Sequence, residues 1–203
     1  MKTTAIILVL SAMMFLVCSA EEWLVDGGSS PKAGFEIWMI PALPTDDRNG
    51  SPYRIAFRDP TNKKIAASFL WNGDITDAQF PKETRALWSP NGKFVAIHIR
   101  GGRLIDITEV YFVSREFIEP VRLPDFHQNI LGRFKAVESG PNGGDSPLRW
   151  LTDSDLLLSA FGSARIPGGG NDYDFLVTVR LFGETNSTRG AQLIKLEEED
   201  THR

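Results

Sequence analysis

Past residue 34 the apolar residues of this chain fall in short runs rich in branched and aromatic side chains, with Gly, Pro, Asn and Asp between them. That spacing predicts strands joined by tight turns, an all-β pattern. The runs are Phe35 to Ile40, Tyr53 to Arg58, Ile65 to Trp71, Arg85 to Trp88, Phe94 to Ile99, Ile107 to Val113, Phe117 to Leu123, Leu148 to Leu151, Leu156 to Phe161, Phe175 to Phe182 and Ala191 to Glu197. Phe175, Val177, Val179 and Leu181 share one face, while Asp174, Thr178 and Arg180 share the other, so that strand is expected to be half exposed. Phe94 to Ile99 is apolar on both faces apart from His98, as a strand covered on both sides would be.

One segment breaks the pattern. Phe126, Ile130 and Phe134 recur every fourth residue, Asp125 stands where an N-cap belongs, and Gly132 weakens the middle. A short helix near 125–135 is expected, followed by a glycine-rich loop over 139–147. Pro167 to Asp172, with three consecutive glycines, reads as a second loop.

The first twenty residues follow another logic. Lys2 precedes an apolar run from Ala5 to Val17, and Cys18-Ser19-Ala20 supplies small residues before Glu21-Glu22. This predicts a secretory signal peptide removed after Ala20, leaving a flexible segment over 21–34, one all-β domain over 35–197 with an insertion at 124–146, and a mobile tail at 198–203. The rival readings are an uncleaved N-terminal anchor and a lipoprotein acylated at Cys18. After cleavage no transmembrane span is expected. Cleavage takes away Lys2 and the single cysteine; 21 basic side chains then face 26 acidic ones, a formal charge of −5. No disulfide or thiol chemistry is left, and nucleic acid is not an expected partner of so acidic a chain. A hydrophobic core without staples suits a bacterial periplasmic or secreted protein.

A repeat organises the strands. Trp88-Ser89-Pro90-Asn91-Gly92-Lys93-Phe94-Val95-Ala96-Ile97 aligns without a gap over Trp150-Leu151-Thr152-Asp153-Ser154-Asp155-Leu156-Leu157-Leu158-Ser159. Each copy is a strand ending in Trp, a tight turn carrying Asn91 or Asp153, and an apolar strand. The first copy resembles the W-S-P-D-G-K repeat of TolB-type β-propellers, with Trp88, Pro90 and Gly92 in place and Asn91 where that family usually has Asp. The second copy, from Trp150, lacks the Pro and the Gly. The resemblance implies antiparallel, blade-like meanders that make part of a propeller, and an activity exerted through surface contacts. A chain this short has room for three clear four-stranded units or at most four, so a closed ring is not expected unless chains associate.

Candidate chemistry is sparse. No G-x-S-x-G nucleophile motif is present, and His98, His127 and His202 show no metal-ligand spacing, so no metal and no cofactor is expected. Asp106/Glu109 and Asp172/Asp174 are the nearest carboxylate pairs for a carbohydrate-active hydrolase, the alternative reading. A sugar-binding module using exposed tryptophan is a further alternative. The leading expectation is a non-catalytic protein with a protein partner, self-association included. Its candidate contact residues are Phe126, His127, Asn129 and Ile130 in the insertion, Trp71 at a strand end, and Arg100 and Arg103 around a Gly-Gly turn.

Overall fold

A computed structural model describes residues 21–42, 53–70, 83–102, 105–134, 138–183 and 189–199. They form three antiparallel meanders of four strands each. The first unit is β1 (Trp23–Ser29), β2 (Glu36–Pro41), β3 (Tyr53–Arg58) and β4 (Ile65–Leu70); the second is β5 (Arg85–Trp88), β6 (Phe94–Gly102), β7 (Ile105–Val113) and β8 (Ile118–Val121). After helix α1 (Phe126–Arg133) comes the third, β9 (Glu138–Trp150), β10 (Asp155–Ile166), β11 (Gly169–Phe182) and β12 (Gly190–Glu198). Within each unit every strand pairs with the next in sequence. Two short parallel contacts join the units, Asp26 beside Arg85 and Ile105–Asp106 beside Gly143–Gly144. The fold is all-β with one short helix, as the pattern of apolar runs predicts.

The Trp88 turn is held by its own side chains. Gly92 N–H donates to Ser89 O at 2.8 Å, closing a turn with Pro90 at its second position and Asn91 at its third. The Ser89 and Phe94 backbones close the hairpin at 2.9 Å, and Phe94 N–H donates to Ser89 Oγ at 3.0 Å. Asn91 Oδ1 accepts from Lys93 N–H and from the Ser89 hydroxyl. Gly92 is required twice over: its φ is 73°, and a Cβ there would stand 2.9 Å from the Lys32 Cβ.

The same corner occurs in the first unit. Ser29 pairs with Glu36 as Trp88 pairs with Val95, seven residues apart, and Ser30 N–H donates to Phe35 O at 2.9 Å as Ser89 does to Phe94. Ser30-Pro31 and Phe35 therefore stand where the second unit has Ser89-Pro90 and Phe94; the copy escapes a search for Trp because Ser29 replaces it. In the third unit Trp150 pairs with Leu156, so that turn is one residue shorter. The ungapped alignment of the two tryptophan segments thus runs one residue out of step beyond the turn.

Face-to-face stacking follows from the alternation of side chains. Val25, Ile37, Met39, Ile55 and Phe57 of the first unit pack on Val95, Ile97, Ile99, Tyr111 and Val113 of the second. The other side of the second unit, Phe94, Ala96, Val110 and Phe112, packs on Leu156, Leu158, Phe175, Val177, Val179 and Leu181 of the third. The β6 strand is therefore covered on both faces, as its sequence predicts, and its fully buried Val95, Ile97 and Ile99 each contribute about 1.5–3 kcal/mol. His98 falls on the Phe94/Ala96 side, its Nε2 3.5 Å from Asp106 Oδ1 and without a hydrogen-bond partner.

Three expectations need correction. The segment 21–34 is not a flexible leader: it supplies β1, whose Val25 is 1% exposed in the core between the first two units. The expected loop at 139–147 is part of β9. Its glycines serve close approach, for a Cβ on Gly144 would lie 2.0 Å from Asp106 O, where β9 runs beside β7. In Pro167 to Asp172 the β10–β11 ladder continues to Ile166 opposite Gly169, leaving only Pro167 and Gly168 as the turn.

Candidate functional site

The helix predicted in the insertion is present, with Asp125 as its N-cap accepting from Gln128 N–H at 3.2 Å. Its four-residue stripe faces inward. Phe126 is 3% and Ile130 0% exposed in the core between the second and third units. These two are core residues and offer no contact surface, which corrects their assignment as binding residues. Apolar spacing marks a buried stripe equally whether its cover is the protein's own sheet or a partner. Asn129 is exposed, its side-chain amide bonded to Asp125 O at 3.0 Å.

His127 sits in a polar line that ties the helix to the sheets. Its Nδ1 is 3.2 Å from the Tyr173 hydroxyl, and its Nε2 lies 3.6 Å from Asp145 Oδ2. Asp145 accepts from Thr108 N–H at 2.9 Å, and the Thr108 hydroxyl donates to Asp145 O at 3.1 Å. Burial pushes the Tyr173 phenol up, so it keeps its proton in the contact with His127 Nδ1. The line links β7, β9, β11 and α1 through polar side chains.

The other sequence candidates are dispersed. Arg100 pairs with Glu83 at 2.7 Å on the surface. Trp71 and Arg103 lie outside the described residues. Pro90 and Asp153 are exposed turn residues, and Asn91 is half-buried. Trp88 and Trp150 occupy comparable places, each ending the first strand of its unit and facing the preceding one. Trp150 stacks on Phe94 with centroids 6.2 Å apart and donates from Nε1 to Leu87 O at 2.9 Å. The Trp88 Nε1 is buried without a hydrogen-bond partner among the described residues.

Asp106 and Glu109, three positions apart on β7, fall on opposite faces of the strand, so this pair does not share a cleft. Glu109 alone lines one. A cleft of about 580 Å³ opens between the first and second units, walled by Phe69, Leu70, Tyr111, Pro120 and Val121, with Arg122 at its edge. Burial pushes the Glu109 carboxyl up, although the hydrogen bond from the Tyr111 hydroxyl works in the opposite direction. Burial and the neighbouring Glu109 raise the Tyr111 phenol well above its ordinary value. A desolvated carboxyl in an apolar wall is one proton-exchanging group, and sequence reasoning singled it out only as half of a pair.

Among the described residues no group of three or more His, Cys, Asp or Glu side chains is placed to hold a metal ion. Among them, too, no helix is long and apolar enough to cross a membrane. The fold and the cleft define an all-β protein of stacked antiparallel meanders. No protein-family model and no curated protein matches this chain.

Proposed function

We propose that this protein is exported and acts without catalysis, by binding protein through the sheet faces at the two ends of its stack. The observation that carries this reading is the direction of the stacking. By strand pairing, Glu36, Trp38 and Ile40 of the first unit correspond to Val95, Ile97 and Ile99 of the second. In the second unit those positions dock on the preceding layer. In the first there is no preceding layer among the described residues, and Leu24, on the same face as Trp38, is 42% exposed. At the far end Leu157, Phe161 and Leu176 of the third unit occupy the face that in the second unit receives the next layer. The repeated turn and the regular stacking also support reading the three units as propeller-like blades. The apolar leader at residues 1–20 supports export.

A second copy is the first partner to test, because the two end faces, which meet no further layer among the described residues, are the two halves of the contact used twice inside the chain. Sedimentation of the mature chain is expected to give the mass of two copies. Trp38→Asp at one end, or Leu176→Arg at the other, is expected to halve it. A single-copy mass shifts the reading to a foreign protein, tested by photocrosslinkers at positions 38 and 176. A monomer that crosslinks to nothing from its own secretion compartment removes it.

A further inference from the structure

The hairpin turns of the first two units converge at one end of the stack, and there the charge balance of the chain reverses. Lys32 in the β1–β2 turn, Lys64 in the β3–β4 turn and Arg115 in the β7–β8 turn line a cavity of about 480 Å³ whose wall includes Phe35 and Ile65. All three cations are exposed, and none has an ion pair among the described residues. Lys63 stands in the β3–β4 turn beside Lys64, and Lys93 in the β5–β6 turn, whose Gly92 lies against Lys32. The whole chain carries a net charge of −4, so an end bearing several unpaired cations runs against its mean.

Asp59 is the acid of the cavity wall, and its carboxylate is already engaged. It accepts from Thr61 N–H at 2.8 Å, from the Thr61 hydroxyl at 2.5 Å and from the Asn62 side-chain amide at 3.1 Å. These bonds hold the turn and keep the Asp59 carboxylate ionised, so one negative charge stands in the wall beside three cations. The same turn keeps Lys63 at φ 57°, a left-handed backbone that glycine or asparagine adopts more easily. The floor is apolar: Ile65 is 41% exposed and Phe35 half-buried.

We infer that this cavity binds an organic anion, a carboxylate or phosphate carried on a small apolar body, with Lys32, Lys64 and Arg115 around the charge and Phe35 and Ile65 under the body. The volume suits a small ligand or the end of a peptide. Three cations on separate turns converge on one head group, so attraction is summed without any large rearrangement. The site is distinct from the two end faces and does not rest on the reading of those faces.

Phenylacetate supplies the probe, with phenylacetamide as its uncharged twin; a peptide ending in a free C-terminal Phe and its amidated form make the second arm. Titrations followed by amide chemical shifts are expected to move the backbone signals of residues 32–35 and 63–66 with the acids and not with the amides. Binding is expected to weaken about tenfold between low and physiological salt. Lys32→Glu combined with Arg115→Glu is expected to abolish it while leaving the circular dichroism unchanged, and Lys32→Arg is expected to retain it. Tighter binding of the peptide acid points to a protein C-terminus as the natural source, and tighter binding of phenylacetate to a free metabolite. Equal binding of acid and amide, no shift with either acid, or full binding by the charge-reversed variant would overturn the inference.

Discussion

The first and second units share a hairpin corner built on Ser-Pro and Phe, yet they live in different surroundings. In the second unit both faces of β6 are buried, Val95, Ile97 and Ile99 on one side and Phe94 and Ala96 on the other. In the first, among the described residues, only the side of β2 bearing Ile37 and Met39 meets another layer. The opposite side carries Glu36 and Trp38, with Trp38 Nε1 bonded to Glu36 at 3.0 Å and Arg58 lying 5.0 Å over the indole. A Trp covered by a guanidinium and tied to a carboxylate tolerates water better than an Ile at the same position, so place in the stack, and not the corner motif, dictates what a strand must carry.

The largest expected contrast tests that statement directly. Ile97→Asp puts a carboxylate into a fully buried site with no cation beside it and is expected to cost about 4 kcal/mol or more, enough to unfold a marginal domain. Trp38→Asp, at the corresponding position of β2, places its carboxylate next to Arg58 and, measured in the Leu176→Arg chain so that only one copy is present, is expected to cost about 1 kcal/mol, chiefly the lost ring contact. Urea melts of the two variants give both values; equal losses would mean that the outer face of the first unit is covered as completely as the inner one.

A smaller contrast separates the two corners. Ser89→Ala removes the acceptor of the buried Phe94 N–H and is expected to cost about 1–2 kcal/mol. Ser30 Oγ accepts from Ala33 N–H at 2.7 Å and from Lys32 N–H at 3.3 Å, in a half-exposed turn where water can substitute. Ser30→Ala is expected to cost about 0.5 kcal/mol. Equal losses, measured by thermal melting, would place both corners in equivalent solvent.

The smallest effect is a pH dependence between the first two units. Because burial raises the Glu109 carboxyl in the folded chain, the folded state holds that proton more tightly than the unfolded one. The group's contribution is most favourable below its unfolded value near 4.5 and declines as pH rises through the higher folded value. Glu109→Gln, which keeps an acceptor for the Tyr111 hydroxyl, is expected to flatten that decline and to raise the melting temperature slightly at neutral pH. A melting curve with unchanged pH dependence would show that Glu109 is as well solvated folded as unfolded.

Several features were legible because the physics that sets them is local. The turn at Ser89 to Phe94, the cap at Asp125 and the two-sided burial of β6 each follow from neighbouring residues and from side-chain alternation. Others were hidden. Ser29 in place of Trp concealed the corner of the first unit, since a turn needs its serine and proline more than it needs the indole before it. Glycine and proline in β9 read as a loop, although there Gly143 and Gly144 admit neighbouring backbones. Asp106 and Glu109 looked like a pair until the pleat of β7 put them on opposite faces.

The amino-acid order alone therefore determined the all-β character, the one helix among the described residues and the Trp88 hairpin corner, because alternation, capping and turn chemistry act within a few residues. Tertiary structure decided which apolar faces meet another layer, that Phe126 and Ile130 point inward, and that Lys32, Lys64 and Arg115 gather around one cavity. Those outcomes depend on residues far apart in the chain, and strand periodicity carries no information about what lies across a face.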